Sequence, residues 1–340
     1  MIATETRALG VAVVGLGVGE QHARTYAALP SCAAPRLFDL DHAQAARIAA
    51  TIPGSTVASN YRSILDDRDI DIVSIASFDD AHFEQVTQAL ATDKHVFVEK
   101  PLCRSAAELH TISTLWRKSE GRLRLGCNLV LRAAPAFVWL KCQIETGAFG
   151  QIYAIDGDYL YGRMHKITGD WRSKVENYSV MLGGGIHLID LILWLTGQRP
   201  HSVTATGNRI CTAGSTFRYD DMIAATLRFQ TGMIGRITAN FGCVHRHQHV
   251  LRVFGTQATF IYDEQGPRVM WTRDPQQAPE ALTLATLPAN KGALIPGFVA
   301  AVAGETDYTS ETQTIFDGIS IAIACDAAAQ TDATVKLEYQ

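Results

Sequence analysis

Along the first third of the chain, short unbroken apolar runs alternate with stretches whose apolar residues recur every three or four positions. The runs are GVAVVG (10–15), PRLFD (35–39), DIVSIAS (71–77), HVFVEK (95–100) and LRLGCN (123–128). Their continuity predicts strands buried on both faces of a parallel sheet, because a half-exposed strand alternates apolar with polar residues. Between them, DHAQAARIAA opens with Asp41 and has Gln44 three residues on, and SAAELHTISTLW opens with Ser105 and has Glu108 three on. Both read as capping boxes that start helices. Strand, helix and strand in repeated succession predict a doubly wound α/β unit with right-handed crossovers.

Past APAFVWLKCQIETG, a helix that Gly147 would close, the pattern changes. A strand starts between Gly150 and Tyr161 and a helix covers 183–196. SVTATGNRI, MIAATLRF, GMIGRITANF, HVLRVFG and ATFIYD then follow as strands separated by Gly and Asp turns. These predict an α+β unit on a large open, mainly antiparallel sheet, closed by helices near 296–303 and 310–330. The boundary between the two predicted domains, 1–128 and 129–340, falls where the pattern switches.

Composition narrows the chemistry. A chain of 340 residues suits two domains, and 47% hydrophobic residues suffice for a sizeable core in each. The 30 basic and 34 acidic residues give a net charge of -4 without a basic stripe, which argues against a nucleic-acid partner. Seven scattered cysteines, odd in number and without CxxC spacing, argue against a disulfide framework and a zinc site, so no metal is expected and reduced thiols point to the cytoplasm. MIATETRALGVAVVG lacks the pattern of a secretion signal, and no run reaches the ~18 apolar residues of a membrane span.

The first strand ends in GLGVGEQH, residues 15–22. Glycines after a strand and before a helix let the backbone approach a pyrophosphate at the helix N-terminus, which makes Gly15, Gly17, Val18 and Gly19 candidate dinucleotide contacts. Asp39 ends the next strand, where an acidic residue meets a ribose hydroxyl and repels a 2'-phosphate. NAD is therefore expected, with NADP as the alternative. Asp41 heads the capping box and leaves Asp39 free for the ribose. Ser77 ends the third run and His82 follows it, and Glu99 and Lys100 end the fourth, at the carboxyl edge where doubly wound sheets bind ligands. A lysine there would stabilise a substrate alkoxide.

The ordered set GLGVGEQH, FDLD, SFDDAH, VFVEKPL and GGGIHLIDL resembles the Gfo/Idh/MocA family of sugar and inositol oxidoreductases, from about Val11 to Leu195. The resemblance implies a Rossmann domain for NAD(H) or NADP(H) and a C-terminal substrate domain whose open sheet commonly makes the oligomer interface, in a homodimer or homotetramer. It implies that Lys100 and His187 are catalytic, that Ser77 and His82 lie in a loop beside the cofactor, and that Asn128 faces a carbohydrate or polyol substrate. Phe78 and Asp79 depart from the Pro and Asn of that loop. A larger departure is Gly183, which stands where many members carry an aspartate four residues before the histidine. Tyr178, Lys174 and Asp190 are candidate substitutes, and Asp190 shares a helix face with His187.

Trp171 and Arg172 suit a sugar face and a hydroxyl or carboxylate. His245, His247 and His249, at period two, would share one face of a strand and lie about 7 Å apart at ~3.3 Å rise per residue, too far for one tetrahedral ion. A polar sheet face is the better reading. The expected function is hydride transfer between nicotinamide and a carbinol carbon of a sugar, inositol or derivative. An NAD-dependent glycoside hydrolase of the same fold and a non-catalytic sensor are the alternatives.

Overall fold

The continuous apolar runs become the core of a six-stranded, wholly parallel sheet. In the computed structural model, which describes residues 7–340, its strands are β1 (Val11–Val14), β2 (Arg36–Phe38), β3 (Thr56–Val57), β4 (Ile72–Ile75), β5 (His95–Val98) and β6 (Leu125–Cys127). Their order is β3-β2-β1-β4-β5-β6, the doubly wound order. All four residues of β1 and of β4 are buried, as runs covered on both faces must be. The edge strand β3 is two exposed residues long, and no apolar run announced it. The crossovers carry α1 (Gly19–Ala27), α2 (His42–Ala49), α3 (Tyr61–Leu65), α4 (His82–Ala91) and α5 (Ala106–Lys118). Only half of the predicted capping box forms on α2. The Asp41 carboxylate accepts from the amides of Ala43 and Gln44, but the Gln44 side chain donates to the carbonyl of Leu16. The reading of the first residues as lacking a leader rests partly on residues 1–6, which lie outside the described residues.

The second unit follows α6 (Pro135–Glu145) with β7 (Ile152–Leu160), the short α7 (His165–Thr168), a π-helical turn over Met181–Gly185 and α8 (Ile186–Thr196). Strands β8 (Pro200–Asn208), β9 (Met222–Phe229), β10 (Ile234–Asn240), β11 (Gln248–Gly255), β12 (Thr259–Asp263), β13 (Gly266–Met270) and β14 (Glu280–Ala281) come next, and β15 (Val335–Lys336) completes the sheet. The order is β14-β13-β12-β11-β7-β10-β9-β8-β15. β7 enters between β11 and β10 and pairs in parallel with β10, so the sheet is mixed although its other pairs are antiparallel.

The two faces of this sheet differ. Gly157 lies under α8, where a Cβ would press on Leu188. The absence of a side chain there lets a helix buried on nearly every side lie close to the strand. On the opposite face Asp156 pairs with Arg236, and Asp158 takes bonds from Thr238 and Arg252. The depression on that face, about 580 Å³ and lined by those residues with Thr204 and Thr206, is polar and lies on the side of β7 away from α8.

The predicted boundary at residue 128 lies close to a structural one, but the chain returns. The first unit comprises the described residues up to Cys103, Ala107–Val130 and Ala289–Ile315, and the second comprises Arg104–Ala106, Leu131–Pro288 and Phe316–Gln340. The return is driven by burial. α9 (Ile295–Val302) places Ile295, Phe298 and Val299 in one core with Val11, Val13, Ile72 and Phe97. α10 (Thr309–Thr331) then begins with Thr312 donating to the Leu125 carbonyl of β6. Among the described residues no helix is long and apolar enough to cross a membrane. Phe298 is fully buried, with its ring 5.3 Å from Phe97 and 5.6 Å from Tyr308. Phe298→Ala should therefore lower stability by about 3–5 kcal/mol through the cavity it leaves, read as a fall in the urea midpoint.

Candidate functional site

In the first unit the site begins at the turn from β1 to α1. Gly15 has φ +81°, and a Cβ there would lie 2.6 Å from the backbone of Ala76 and Ser77, so only glycine fits. Over Gly17 nothing lies within 4 Å, leaving room beside the first amides of α1. Val18 immediately precedes this helix and is partly exposed.

Asp39 stands beside this turn but is not free. Its Oδ2 accepts from the Leu16 amide at 2.6 Å and its Oδ1 from the Asp41 amide at 2.9 Å. The correction is one of degree, because each carboxylate oxygen has a second lone pair with which to accept a hydroxyl. The carboxylate shapes the glycine turn, a use that sequence spacing does not show.

Ser77 donates to Gln85 at 2.6 Å. His82 is fully buried at the start of α4, with Nδ1 2.7 Å from the Pro101 carbonyl and Nε2 3.2 Å from the Ser77 carbonyl. It ties the SFDDAH loop to the turn after Lys100 and acts by holding that loop, not by presenting a ring to a ligand.

Behind Lys100 lies a buried polar chain that sequence reasoning missed. Ser74, in mid-strand, donates to Nδ1 of His22 at 3.0 Å, and Nε2 of His22 lies 3.3 Å from Glu99. The Asn128 amide donates to Glu99 at 2.6 Å and to the Lys291 carbonyl at 2.7 Å. These bonds assign the His22 proton to Nε2. Burial works to raise the Glu99 carboxyl, but the bonds from His22 and Asn128, with the Lys100 charge, hold it below the ordinary carboxylate range. Asn128 is thus an interior residue of the first unit, not a group turned toward a ligand, and Glu99 beside it is partly buried. Asn128 is 1% exposed, which corrects its assignment to the substrate. The available signals were a serine within IVSI and a histidine on the buried face of α1.

In the second unit His187 is the second residue of α8 and is buried. Its neighbours come from the sheet. His249 and Tyr159 are direct cross-strand partners of β11 and β7. The His187 ring lies 5.5 Å from that of His249 and 6.3 Å from that of Tyr159, and His247 lies 5.0 Å from His249 and 5.3 Å from Tyr159. Tyr161 and Phe241 close the cluster, with Tyr161 5.5 Å from His247 and 4.5 Å from Phe241. Burial and the neighbouring Tyr161 raise the Tyr159 phenol far above its usual value, against the opposing charges of Arg172 and Arg163.

The reading of HRHQH as a uniform polar face is therefore corrected. β11 starts only at Gln248, and His245 turns away to Glu264 at 2.9 Å and the Arg246 carbonyl at 2.7 Å. His247 and His249 instead join His187. Among the described residues no group of three or more His, Cys, Asp or Glu side chains is placed to hold a metal ion.

The glycines before His187 are packing positions. A Cβ on Gly184 would enter the ring of Tyr159, and one on Gly183 would lie 2.5 Å from the Tyr178 hydroxyl. The space that a side chain at 183 would need is filled by Tyr178. Of the other candidate substitutes, Lys174 is exposed. Asp190 accepts a bidentate fork from Arg132 at 2.5–3.1 Å. Burial raises its carboxyl above the ordinary range, and the Arg132 fork opposes that shift. Asp190 is thus a structural ion-pair partner. Trp171 has one face covered by the Arg172 guanidinium, 4.3 Å from the ring, and takes a cap from Asp170, so at most its other face is available to a sugar.

Residues 9–127 match the family model described as an oxidoreductase family, NAD-binding Rossmann fold, and residues 137–261 match the GFO/IDH/MocA C-terminal domain. An inositol 2-dehydrogenase of Acidothermus cellulolyticus is 25% identical over 81% of this chain and 79% of its own length. A levoglucosan dehydrogenase of Pseudarthrobacter phenanthrenivorans is 27% identical over 75% and 73%. Among solved structures, a levoglucosan dehydrogenase in complex with NADH superposes with a TM-score of 0.84 at 23% identity, over 98% of this chain and 100% of that one. A myo-inositol 2-dehydrogenase from Lactobacillus plantarum gives 0.81 at 20% identity, with the same coverage.

Asp190→Asn weakens a buried pair whose side chains are 1% and 12% exposed, and should cost about 3–5 kcal/mol of stability. Thermal unfolding should show the loss, with dinucleotide affinity unchanged.

Proposed function

The chain belongs to the GFO/IDH/MocA oxidoreductase family, and on that premise we propose that it interconverts a carbinol and a carbonyl in a sugar, an inositol or a sugar derivative, with NAD as the redox partner. The observation that carries this reading is the β1–α1 turn, which admits only glycine at 15 and leaves open space over Gly17 at a helix N-terminus. Dehydrogenases of inositol and levoglucosan among the relatives support the substrate class. When bound, the nicotinamide supplies the acceptor or donor of the hydride.

The chain's own groups handle charge and protons. Lys100, next to the partly buried Glu99 carboxylate, donates to the substrate oxygen and stabilises negative charge as it develops there. His187 takes up the hydroxyl proton on oxidation and returns it on reduction. Asp39 disfavours a 2'-phosphate and so favours NAD over NADP. The polar open face of the second unit's sheet is the proposed contact of a homodimer or homotetramer, and the cysteines, none of them in a disulfide among the described residues, suit a cytoplasmic setting.

Assayed as NADH formation against a panel of inositols, sugars and anhydrosugars, Lys100→Met should lose ~10²–10⁴-fold in kcat while NAD still binds. Full turnover in that variant would remove Lys100 from the chemistry. Asp39→Ala should weaken NAD binding by loosening the turn and also shift the NAD-to-NADP affinity ratio toward NADP. A ratio that stays put would leave Asp39 only its turn-building role.

A further inference from the structure

In the first unit three buried polar side chains converge on one carboxylate. Ser74 in the middle of β4 and His22 on α1 are both fully buried, and their side chains meet at 3.0 Å. Nε2 of His22 lies 3.3 Å from Oε1 of Glu99, and the Asn128 amide donates to the same oxygen at 2.6 Å. The second hydrogen of that amide goes to the Lys291 carbonyl at 2.7 Å, so the donors of Asn128 are fully used. The backbone of Lys291 is held from its other side as well, because its amide donates to Gln21 of α1 at 2.9 Å.

Serine, histidine and an acid have the composition of a hydrolase triad, but their place excludes that chemistry. The Ser74 hydroxyl lies inside the sheet, and the imidazole beside it packs 5.6 Å from the Phe97 ring, so no substrate reaches the serine. The chain of contacts serves its other end. Both inner partners of Glu99 fall on Oε1, while the side chain keeps 14% of its surface exposed. A carboxylate held inward by one oxygen presents the other. Here Oε2 stands just past the end of β5, at the carboxyl edge where a doubly wound sheet binds its ligand. The bonds on Oε1 and the nearby Lys100 charge hold the carboxyl below its ordinary range against burial, so Oε2 is a charged acceptor.

We propose that His22, set by Ser74, is a positioning residue for Glu99: it turns Oε1 inward so that Oε2 accepts a hydroxyl of the bound ligand, either a ribose hydroxyl of the dinucleotide or one of a polyol substrate. Ser74 donates to Nδ1 and so places the imidazole proton on Nε2, facing Glu99. His22 lies three residues after Gly19, the first residue of α1. The helix that follows the glycine turn thus also orients an acceptor two strands away, at the end of β5. The polyol form of the proposal deepens the dehydrogenase reading and rests on it, whereas the dinucleotide form needs no turnover.

NADH affinity, read from nicotinamide fluorescence without substrate, and KM for an oxidised polyol separate the two sources of the hydroxyl. Glu99→Gln keeps the shape and removes the charge, and should weaken the ligand concerned about tenfold. His22→Leu should cause a loss of the same kind, Ser74→Ala a smaller one, and His22→Gln, whose amide nitrogen can stand in for Nε2, should recover most of it. Ser74→Ala and Glu99→Gln serve if the Leu variant fails to fold. A loss in NADH affinity assigns the acceptor to the ribose, and a loss confined to KM assigns it to the polyol. Nitrogen-15 shifts of His22 should report the proton on Nε2, and a proton on Nδ1 alone overturns the proposal. So does a folded Glu99→Gln with unchanged NADH affinity and KM, or a loss in Glu99→Gln that neither His22→Leu nor Ser74→Ala reproduces. If the wild type binds NADH but oxidises no polyol or sugar, the dehydrogenase reading fails and the NADH affinities alone decide, an unchanged affinity in Glu99→Gln then being the negative result.

Discussion

How closely the start of α8 approaches β7 governs the whole candidate site of the second unit. The approach depends on what is missing: a Cβ at Gly157 would meet Leu188, and one at Gly184 would enter Tyr159. Close packing leaves no slack for either atom. Because these carbons are absent, the first turn of α8 sits on the Tyr159 ring, and His187 comes within reach of the β11 partner of that tyrosine. The π-helical turn Met181–Gly185 is the local cost of seating the helix there. Helix dipole, caps and propensity contribute little, since a helix led by three glycines gains its stability from burial.

Buried polarity is handled differently in the two units. In the first, donors and acceptors match along Ser74, His22, Glu99 and Asn128, and the excess negative charge at Glu99 has donors on it and Lys100 beside it. Such a network fixes the end of β5, because each partner's geometry depends on the next. In the second, imidazoles and phenols gather ring against ring at the start of α8, in contacts that are aromatic rather than a matched chain of donors and acceptors. The Arg132–Asp190 fork, one turn along α8, keeps its carboxylate out of that cluster.

The parallel sheet was readable because a strand covered on both faces leaves an apolar run with no polar interruption, as VAVV does. Gly15 was readable because a tight turn with positive φ constrains which residue fits. What escaped depended on contacts between residues distant in sequence. Nothing in HRHQH tells His245 from its neighbours; the late start of β11 and the reach of Glu264 decide it. Nor does the spacing of Asp190 from His187 reveal Arg132, 58 residues away. Asn128 looked outward from its motif position, but two inward acceptors, the Glu99 carboxylate and the Lys291 carbonyl, claim its amide.

The return of residues 289–315 to the first unit has a consequence for inheritance. A gene fragment ending at Val130 would encode a nucleotide-binding sheet lacking Ile295, Phe298 and Val299, and so with a hole in its apolar interior. The two units are folded from interleaved stretches of chain and are not modules that recombination can cut apart at one point. A different second unit joined to this sheet would have to bring its own closing helix to fill the place of Ile295, Phe298 and Val299.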